Sequence, residues 1–374
     1  MTKRVAVTGG SGFLGWHTAV RAETLGLADP VVISHEEFAD PARLPALLKG
    51  VDQIIHLAGV NRAETDEEVE TGNVAIAEAL AEALPEGVDV VYGNSIQQNS
   101  DNAYGRGKRA AAEILCRRVG ERGGRFVDVH LPNIFGEHGR PRYNSFVATF
   151  CDLVARGERP TIIEDREVAL LHAQQAAHCL LTADLEVGQV NPAGTSVKVS
   201  EVAILLQYMA ELYTTGDIPR FDSEFELDLF NTLRSYLFPQ RYPIRPKVNA
   251  DPRGRLWEVA RGHGAAGQSF VSTTAPGQVR GNHYHLRKIE RFAVVQGNAT
   301  IGLRRLRHQD VIRFEVSGDE PCFIDMPTMW VHNIENTGQD DLITVFWSDQ
   351  LLDSDNPDQY PAPVEIDDSK ADSR

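Results

Sequence analysis

VAVTGGSGFLG, residues 5–15, joins an apolar strand, a glycine-rich turn and the first turn of a helix. Gly9 permits the tight turn, Gly12 allows a pyrophosphate to approach the backbone, and Gly15 allows helix and strand to pack closely. The free N–H groups at the helix start would bind phosphate oxygens. Glycines also occur in ordinary turns, so the prediction of a dinucleotide site depends on the position of this turn at the first strand–helix junction.

The first half of the chain alternates apolar strands with amphipathic helices. Strands are predicted at residues 5–8, 31–34, 53–57, 88–93 and 126–131. Helices are predicted between them, including residues 13–25, 74–84 and 104–119. This alternation predicts an α/β, Rossmann-like, doubly wound parallel sheet.

The character of the sequence changes near Tyr242-Pro-Ile-Arg-Pro. Short strand-like runs follow, at residues 270–274, 291–295, 299–303, 311–314, 323–326 and 342–347. Because Gly, Asp, Asn and Pro separate them, they predict an all-β jelly-roll barrel. The predicted parts of the chain are residues 1–243, residues 247–352 and an acidic, flexible tail over residues 353–374.

Composition argues against several classes of protein. The 374 residues suit two domains, and a formal net charge of -16 argues against a nucleic-acid partner. No apolar run is long enough to cross a bilayer, and the N-terminal residues lack an apolar signal core. The four cysteines are far apart, which suits a reducing compartment. We therefore expect a cytoplasmic enzyme without a membrane partner, in which local arginines or helix N-termini hold any anionic substrate.

A second group of residues, Tyr104-Gly-Arg-Gly-Lys108, opens a predicted helix. Residues four apart share a helix face, so the Lys108 ammonium would lie beside the Tyr104 phenol and lower its pKa. Such a phenol can relay a proton to a carbonyl that is being reduced. Tyr-x-x-x-Lys is also common on solvated helices. Here it follows a glycine-rich turn and Ser95 at a strand end, which favours chemistry.

Residues 3–242 resemble the extended short-chain dehydrogenase/reductase family. The matching positions are Thr8–Gly15, His56–Gly59, Asn73, Ser95, Tyr104, Lys108 and Pro132–Asn133. The resemblance implies that Ser95 hydrogen-bonds the substrate oxygen, that Tyr104 exchanges a proton and that Lys108 holds the ribose. Asn73 is the further catalytic residue implied. Hydride would pass between a nicotinamide and a sugar carbon.

The resemblance also implies the cofactor contacts. They are Thr8, Gly9, Gly12, Phe13, Leu14, Gly15, His35, Leu57, Ala58, Gly59, Tyr104, Lys108 and Pro132. After the second strand, Ser34-His-Glu-Glu37 contains no arginine, and an acidic side chain there would bind a ribose 2′-OH and repel a 2′-phosphate. The family resemblance leads us to expect NADP(H). The acidic segment after the second strand makes NAD(H) the alternative.

The second half contains a candidate metal site. His283 and His285 alternate on a predicted strand, so they project to the same side. Glu290 could add a carboxylate oxygen and His332 a third imidazole. A lone His-x-His is often a surface feature, but three histidines and a glutamate in strand-rich sequence favour a divalent metal, with zinc as the first choice and iron, manganese or nickel as alternatives.

This stretch resembles the cupin family. Gly277, His283, His285, Glu290 and Gly297 fit the first cupin motif, and Pro327, His332 and Asn336 fit the second. The resemblance implies that the two histidines of the first motif, Glu290 and His332 bind the metal. Met329 stands where a glycine is usual.

Residues 251–258 are similar to a segment of dTDP-4-dehydrorhamnose 3,5-epimerases. Arg253 could bind a nucleotide phosphate through two N–H groups, although an ordinary turn and strand explain the segment equally well. Glu258 is a further predicted substrate contact, and Glu258, Tyr284 and the metal-site side chains are candidate bases.

Nearly the whole chain resembles the CapF-like family of bifunctional capsular polysaccharide synthesis enzymes. The most specific stretches are His56–Arg62, Ser95–Gln97, Tyr143–Ser145, Ala148–Cys151, Gly281–His283 and His332–Asn336. This resemblance implies substrate contacts by Arg62, Asn133 and Asn144 and a homodimer.

The implied reaction has two steps. The cupin part would epimerise C3 of a UDP-4-keto-6-deoxy-N-acetylhexosamine. The reductase part would then reduce the C4 ketone with NADPH to give UDP-2-acetamido-2,6-dideoxy-L-talose, towards UDP-N-acetyl-L-fucosamine. One alternative is a 4-keto reductase or epimerase of another sugar branch, in which the cupin only positions substrate. Another is a non-catalytic nucleotide sensor, against which Ser95, Tyr104 and Lys108 argue.

Overall fold

The structure is a computed structural model that describes residues 2–264 and 266–366. It contains two compact units. The first comprises residues 1–149 and 162–199, and the second comprises residues 150–161 and 200–374. None of the helices in the described ranges is long and apolar enough to span a membrane.

The first unit contains nine strands. They are β1 Arg4–Thr8, β2 Asp29–Ile33, β3 Gln53–His56, β4 Asp89–Ser95, β5 Phe126–Leu131, β6 Asn133–Phe135, β7 Glu167–His172, β8 Gln189–Val190 and β9 Thr195–Lys198. The helices of the chain are α1 Phe13–Thr24, α2 His35–Ala39, α3 Arg43–Leu47, α4 Asp66–Ala83, α5 Ala103–Glu121, α6 Phe146–Ala155, α7 Ala173–Leu181, α8 Val199–Tyr213 and α9 Glu224–Leu237.

The main sheet of the first unit has the order β2-β1-β3-β4-β5-β8, and all its neighbouring strands are parallel. Alternate residues enter two apolar layers: Ala6 and Ile54 lie in one cluster, and Val7 and Ile55 in the other. A strand buried on both faces is largely apolar, which explains the apolar runs Val5–Val7 and Ile54–Ile55. The predicted doubly wound sheet is confirmed. A second sheet, β6-β7-β9, was not predicted.

Side-chain caps fix the starts of α4 and α5. Thr65 and Glu68 form a reciprocal capping box at the start of α4. The Asn102 side chain accepts a hydrogen bond from the Gly105 N–H at 2.8 Å and caps α5. This cap places Tyr104 in the first turn of α5, beside the end of β4.

The second unit is rich in antiparallel strands. They are β10 Asp217–Ile218, β11 Asn249–Asp251, β12 Gly254–Leu256, β13 Arg261–Gly262, β14 Gln268–Thr274, β15 Val279–Tyr284, β16 Glu290–Gln296, β17 Asn298–Arg305, β18 Val311–Ser317, β19 Ile324–Met326, β20 Trp330–Asn336, β21 Leu342–Ser348 and β22 Tyr360–Pro361. Two sheets have the orders β14-β21-β16-β19 and β18-β17-β20-β15-β22. They confirm the predicted all-β cupin part, to which the short parallel pair β10–β13 is added.

Helices α8 and α9 belong to this second unit, although the sequence predicts a boundary after residue 243. The Asn231 side chain donates to the Arg287 carbonyl at 2.7 Å, and Arg234 donates to the Met326 carbonyl at 2.6 Å. Periodicity indicates an apolar helix face but not the surface against which that face packs.

Part of the segment predicted as a flexible tail, residues 353–374, contacts the barrel. β22 pairs with β15, and Val364 is buried. Residues 353–356 are exposed, and Tyr360–Pro361 add a short strand at a sheet edge. The flexibility of the tail stays a prediction. Residues 367–374 lie outside the described residues.

Candidate active sites

The glycine-rich turn connects β1 to α1 with little space around it. Gly9 has a φ of 65°, and a Cβ there would lie 2.8 Å from the Ala58 nitrogen. A Cβ on Gly15 would lie 2.3 Å from the Gly9 oxygen. Gly12 begins α1 without a side chain to cap it, so the first N–H groups of the helix can receive an anion. These features fit the pyrophosphate of a dinucleotide. The predicted cofactor contacts Phe13 and Leu14 lie in the first turn of α1.

Thr8 connects the ends of β1 and β3. Its hydroxyl lies 2.7 Å from His56 Nδ1 and accepts hydrogen bonds from the Leu57 and Ala58 N–H groups. Burial, with a smaller contribution from the Lys108 charge, lowers the pKa of His56 to about 3. The imidazole is therefore neutral and structural. Gly59 follows directly in the segment that this network holds.

An arginine that the sequence analysis missed lies near the end of β2. Ser34 caps α2, which begins at His35, and the Glu37 carboxylate accepts hydrogen bonds from the Ser34 N–H and hydroxyl at 3.0 and 2.8 Å. These hydrogen bonds lower the pKa of Glu37. Arg43 ion-pairs with Glu37 at 3.1 Å. Its position nine residues after Ser34 hid it from an inspection of the strand end alone.

Ser95, Tyr104 and Lys108 converge at the end of β4. Ser95 lies close enough to Tyr104 to lower the pKa of its phenol, and the Ser95 hydroxyl accepts a hydrogen bond from the Gln97 N–H at 3.2 Å. The buried Lys108 ammonium donates to the Gly93 carbonyl at 2.9 Å.

The prediction that Lys108 lowers the pKa of Tyr104 is wrong for this structure. Burial raises the pKa of Tyr104, and only the neighbouring Ser95 side chain opposes this shift. Lys108 lies 4.1 Å from the centre of the Tyr92 ring, and burial lowers its own pKa to about 7. The loss of water around each side chain is the largest contribution to its pKa shift.

Asn73 supports the segment after Gly59. Its amide nitrogen donates to the Val60 and Val69 carbonyls, each at 2.7 Å, and its oxygen accepts from the Val60 N–H at 3.2 Å. These contacts use the amide to join α4 to the end of β3. The predicted catalytic role of Asn73 stays a prediction.

A polar cluster that was not predicted lies next to Ser95, at the ends of β4 and β5. The Asn94 amide donates to Asp128 at 3.1 Å and to Gln98 at 3.0 Å, and His130 lies 2.8 Å from Asp128. The Asp128 charge partly offsets the effect of burial on Lys108. Alternating polar residues at the ends of β4 and β5 are the signal that could have indicated this cluster.

Two arginines converge on one aromatic ring. The guanidinium carbons of Arg62 and Arg140 lie 5.7 and 5.2 Å from the Tyr143 ring centre, and Arg62 also donates to the Arg142 carbonyl. Three other residues predicted to bind cofactor or substrate do not join this group. Pro132 is buried, Asn133 donates to the Ala169 carbonyl and Asn144 is exposed.

Four predicted metal ligands meet in the second unit. The donor atoms of His283, His285, Glu290 and His332 all lie within 4.8 Å of one another. Glu290 Oε2 is 3.2 Å from His285 Nε2, 3.2 Å from His332 Nε2 and 3.5 Å from His283 Nε2. His283 and His332 are paired across β15 and β20, which explains how residues 49 apart meet.

The protonation of this cluster suits a cation. Burial would raise the pKa of Glu290, but its contacts with the three imidazoles hold it well below its usual value. Burial lowers the pKa of His332 to about 4. At neutral pH the buried set therefore offers an ionised carboxylate and at least one neutral imidazole, which fits a borderline divalent ion such as zinc.

Met329 adopts the conformation that the usual glycine would favour. Its φ is 61°, its side chain is buried and its N–H donates to the His285 carbonyl at 2.7 Å. The turn before His332 is therefore retained, with strain at a residue other than glycine.

The other residues predicted for the second unit make separate contacts. Arg253 ion-pairs with Asp251 at 2.6 Å on the exposed β11–β12 hairpin, and Glu258 lies 3.5 Å from Arg261. The Tyr284 ring packs 5.5 Å from the ring of Tyr360. None of these three contacts involves the four metal donors.

The fold and these clusters define a dinucleotide-binding α/β unit joined to a β-rich unit with a metal-type donor set. Residues 5–191 match the NAD dependent epimerase/dehydratase family, and residues 249–360 match the polysaccharide biosynthesis C-terminal domain. The chain belongs to the NAD dependent epimerase/dehydratase family and, within it, to the CapF-like proteins that carry this second domain.

Full-length relatives support this assignment. The chain is 32% identical over 373 residues to the UDP-2-acetamido-2,6-beta-L-arabino-hexul-4-ose reductase of Pseudomonas aeruginosa, and the match covers 96% of this chain and 99% of the relative. It is 30% identical to the capsular polysaccharide assembling protein CapF of Staphylococcus aureus, with a TM-score of 0.61 over 96% of this chain and 100% of that one. A CapF structure with the inhibitor 3-isopropenyl-tropolone is 27% identical, with a TM-score of 0.56 over 97% of this chain and 100% of that one.

Proposed function

We propose that this chain is a bifunctional nucleotide-sugar enzyme that reduces a C4 ketone in its first unit and epimerises the adjacent C3 in its second. The observation that carries the proposal is the convergence of three side chains at the end of β4: Ser95 lowers the pKa of the Tyr104 phenol, and Lys108, one helical turn after Tyr104, is buried and donates to the Gly93 carbonyl. The similarity to a UDP-sugar 4-ketone reductase over nearly the full length supports the same activity.

The first unit would act as a proton donor. A nicotinamide, when bound at the glycine-rich turn, supplies the hydride. Because burial raises the pKa of Tyr104, its phenol is protonated at neutral pH and can give its proton to the developing oxyanion at C4. Ser95 hydrogen-bonds the same oxygen and orients it. Lys108, whose pKa is about 7, can exchange protons over the working range of pH.

The second unit would invert C3. The C3 proton is acidic only while C4 is a ketone, so inversion must precede reduction. A divalent metal held by the four donors would supply positive charge. The base stays unassigned, because Tyr284 packs on Tyr360 and Glu258 pairs with Arg261.

The substrate proposed is a UDP-4-keto-6-deoxy-N-acetylhexosamine, and the product is UDP-2-acetamido-2,6-dideoxy-L-talose, on the way to UDP-N-acetyl-L-fucosamine and capsular polysaccharide. A chain with a net charge of -16 needs local cations for a diphosphate, and Arg62 and Arg140 at Tyr143 are the candidates. Arg43 would bind the 2′-phosphate of NADP(H), whereas Glu37 would bind the ribose 2′-OH of NAD(H). Zinc, a homodimer and a cytoplasmic location complete the proposal.

The test is incubation of the enzyme with this ketosugar and NADPH or NADH, followed by NMR of the product. In D₂O, Tyr104→Phe should abolish oxidation of the nicotinamide but retain deuterium exchange at C3, and His283→Ala should abolish the exchange. Exposed Tyr208 and His178 provide the controls Tyr208→Phe and His178→Ala, which should leave both reactions unchanged.

Each competing function predicts a different result. Exchange that survives His283→Ala would mean that the second unit only positions substrate. A protein that binds the nicotinamide but turns over no 4-keto nucleotide sugar would be a sensor or scaffold, and the proposal would be wrong.

A further inference from the structure

The segment 357–364 lies across the strand that carries the first metal ligand. β22 pairs with β15, and His283 is opposite Pro361. The Ala362 N–H donates to the Asn282 carbonyl at 3.0 Å. The Arg304 guanidinium donates to the Val364 and Pro363 carbonyls, both at 2.8 Å. We call residues 357–364 the C-terminal strap; these bonds fix its position on the barrel.

Within the strap, the Asp358 carboxylate binds the loop between two metal ligands. It accepts three successive backbone hydrogen bonds, from the N–H groups of Leu286 and Arg287 at 2.9 Å and of Lys288 at 2.7 Å. The Lys288 ammonium also donates to the Pro357 carbonyl at 2.8 Å. Three N–H groups directed at one carboxylate form an anion-binding loop, which only an acidic side chain satisfies fully.

The backbone of the same residue contacts a metal ligand directly. The Asp358 carbonyl oxygen lies 2.5 Å from His285 Nδ1. A carbonyl can only accept, so Nδ1 carries the proton and the lone pair of Nε2 faces Glu290 at 3.2 Å. His332 has the same arrangement, since its Nδ1 lies 3.1 Å from the Trp330 carbonyl. Hydrogen bonds of this kind fix the tautomer and the orientation of a metal-binding imidazole.

We propose that Asp358 is a positioning residue of the metal centre, which orients His285 through its backbone carbonyl and holds the 286–288 loop through its carboxylate. The inference rests on the metal site proposed above. A φ of 41° at Asp358 shows that the residue is held in the left-handed region, which asparagine and glycine also tolerate. Substitutions that do not add backbone strain are therefore available.

The experiment compares full-length wild type, Asp358→Gly and Asp358→Asn in titrations with Co²⁺, followed by the visible Co²⁺ spectrum. Glycine removes the carboxylate, whereas asparagine keeps one acceptor oxygen. We expect the dissociation constant for Co²⁺ to rise about 10- to 100-fold in Asp358→Gly and less in Asp358→Asn, with an altered spectrum as His285 loses its orientation. Asp355→Gly, at an exposed position before the strap, is the matched control and should resemble the wild type.

The outcomes separate this inference from the metal site itself. Failure of wild type to bind Co²⁺ would overturn the metal site, and this inference with it. Binding and spectra in Asp358→Gly that equal those of wild type would overturn only the role of Asp358. Calorimetric unfolding of the second unit tests whether each variant is folded. If Asp358→Gly does not fold, an unchanged affinity in Asp358→Asn contradicts the proposal.

Discussion

Arg291 and Asp325 form a fully buried, two-pronged ion pair, with N–O distances of 2.5 and 2.7 Å. Asp325 also accepts a hydrogen bond from the Tyr213 hydroxyl at 2.6 Å, and this hydroxyl lies 2.7 Å from that of Tyr242. The pair therefore connects α8 to the strands β16 and β19. Burial alone would raise the pKa of Asp325, but the charges of Arg291 and Arg234 hold it below its usual value.

Replacement of Asp325 by asparagine is expected to lower the free energy of unfolding of the second unit by about 3–5 kcal/mol, because the Arg291 charge stays buried without its partner. Asp222→Asn, which removes a solvent-exposed pair with Arg220, should change it by less than about 1 kcal/mol. Calorimetry measures both variants. Equal effects would show that burial does not strengthen the pair.

Gly15→Ala is expected to abolish nicotinamide binding, because the new methyl group would lie 2.3 Å from the Gly9 oxygen and force the turn apart. Gly120→Ala is the matched control. It lies in α5 with no neighbouring atom within 4 Å of the added carbon and should stabilise the helix by about 0.5–1 kcal/mol. Fluorescence titration with NADPH measures binding. Normal affinity in Gly15→Ala would contradict the assignment of this turn.

Lys108→Met is expected to make the first unit more stable at neutral pH but inactive. The pKa of Lys108 is about 7 when folded and 10.5 when unfolded, so between these values the unfolded chain binds more protons. The stability contributed by neutral Lys108 is therefore lost as pH falls from about 10 to 7. Thermal unfolding across this range should show a slope in wild type that Lys108→Met lacks and that Lys49→Met, at an exposed position, retains.

Removal of metal by a chelator is expected to lower the melting temperature of the second unit and leave nicotinamide binding intact. Added Zn²⁺ at about 100 times its dissociation constant should restore about 2.7 kcal/mol. Glu290→Gln should lose this response, because it removes the carboxylate between three imidazoles. Glu335→Gln, exposed on the same strand as His332, should keep it. Identical melting with and without metal in the wild type would contradict a metal site.

Strands and helices could be predicted from the sequence where their own residues form a clear apolar pattern. Residues 126–131 were predicted as a strand with the observed bounds, because the apolar residues Val127, Val129 and Leu131 alternate along it. The sheet β6-β7-β9 was missed, since its last strand, Thr195–Lys198, is short and mostly exposed. Its apolar pattern is too weak to distinguish a strand from a loop.

The residues of the candidate sites could be predicted from the sequence in part only. His283, His285, Glu290 and His332 could be predicted because coordination chemistry restricts the residue types. The surroundings of Lys108 could not, because burial and the Gly93 carbonyl depend on the assembled sheet. Asp358 lies 73 residues after His285 in an acidic segment, and composition cannot distinguish a bound carboxylate from a solvated one.

The late position of the C-terminal strap has a consequence for biosynthesis. A ribosome makes His285, Glu290 and His332 before it makes Asp358, so a growing chain that already contains every metal donor still lacks the residue that orients one of them. Residues 1–149 and 162–199, which form the first unit, are complete much earlier. Folding during translation can therefore finish the nucleotide-binding unit first. Metal loading would then be among the last events of maturation.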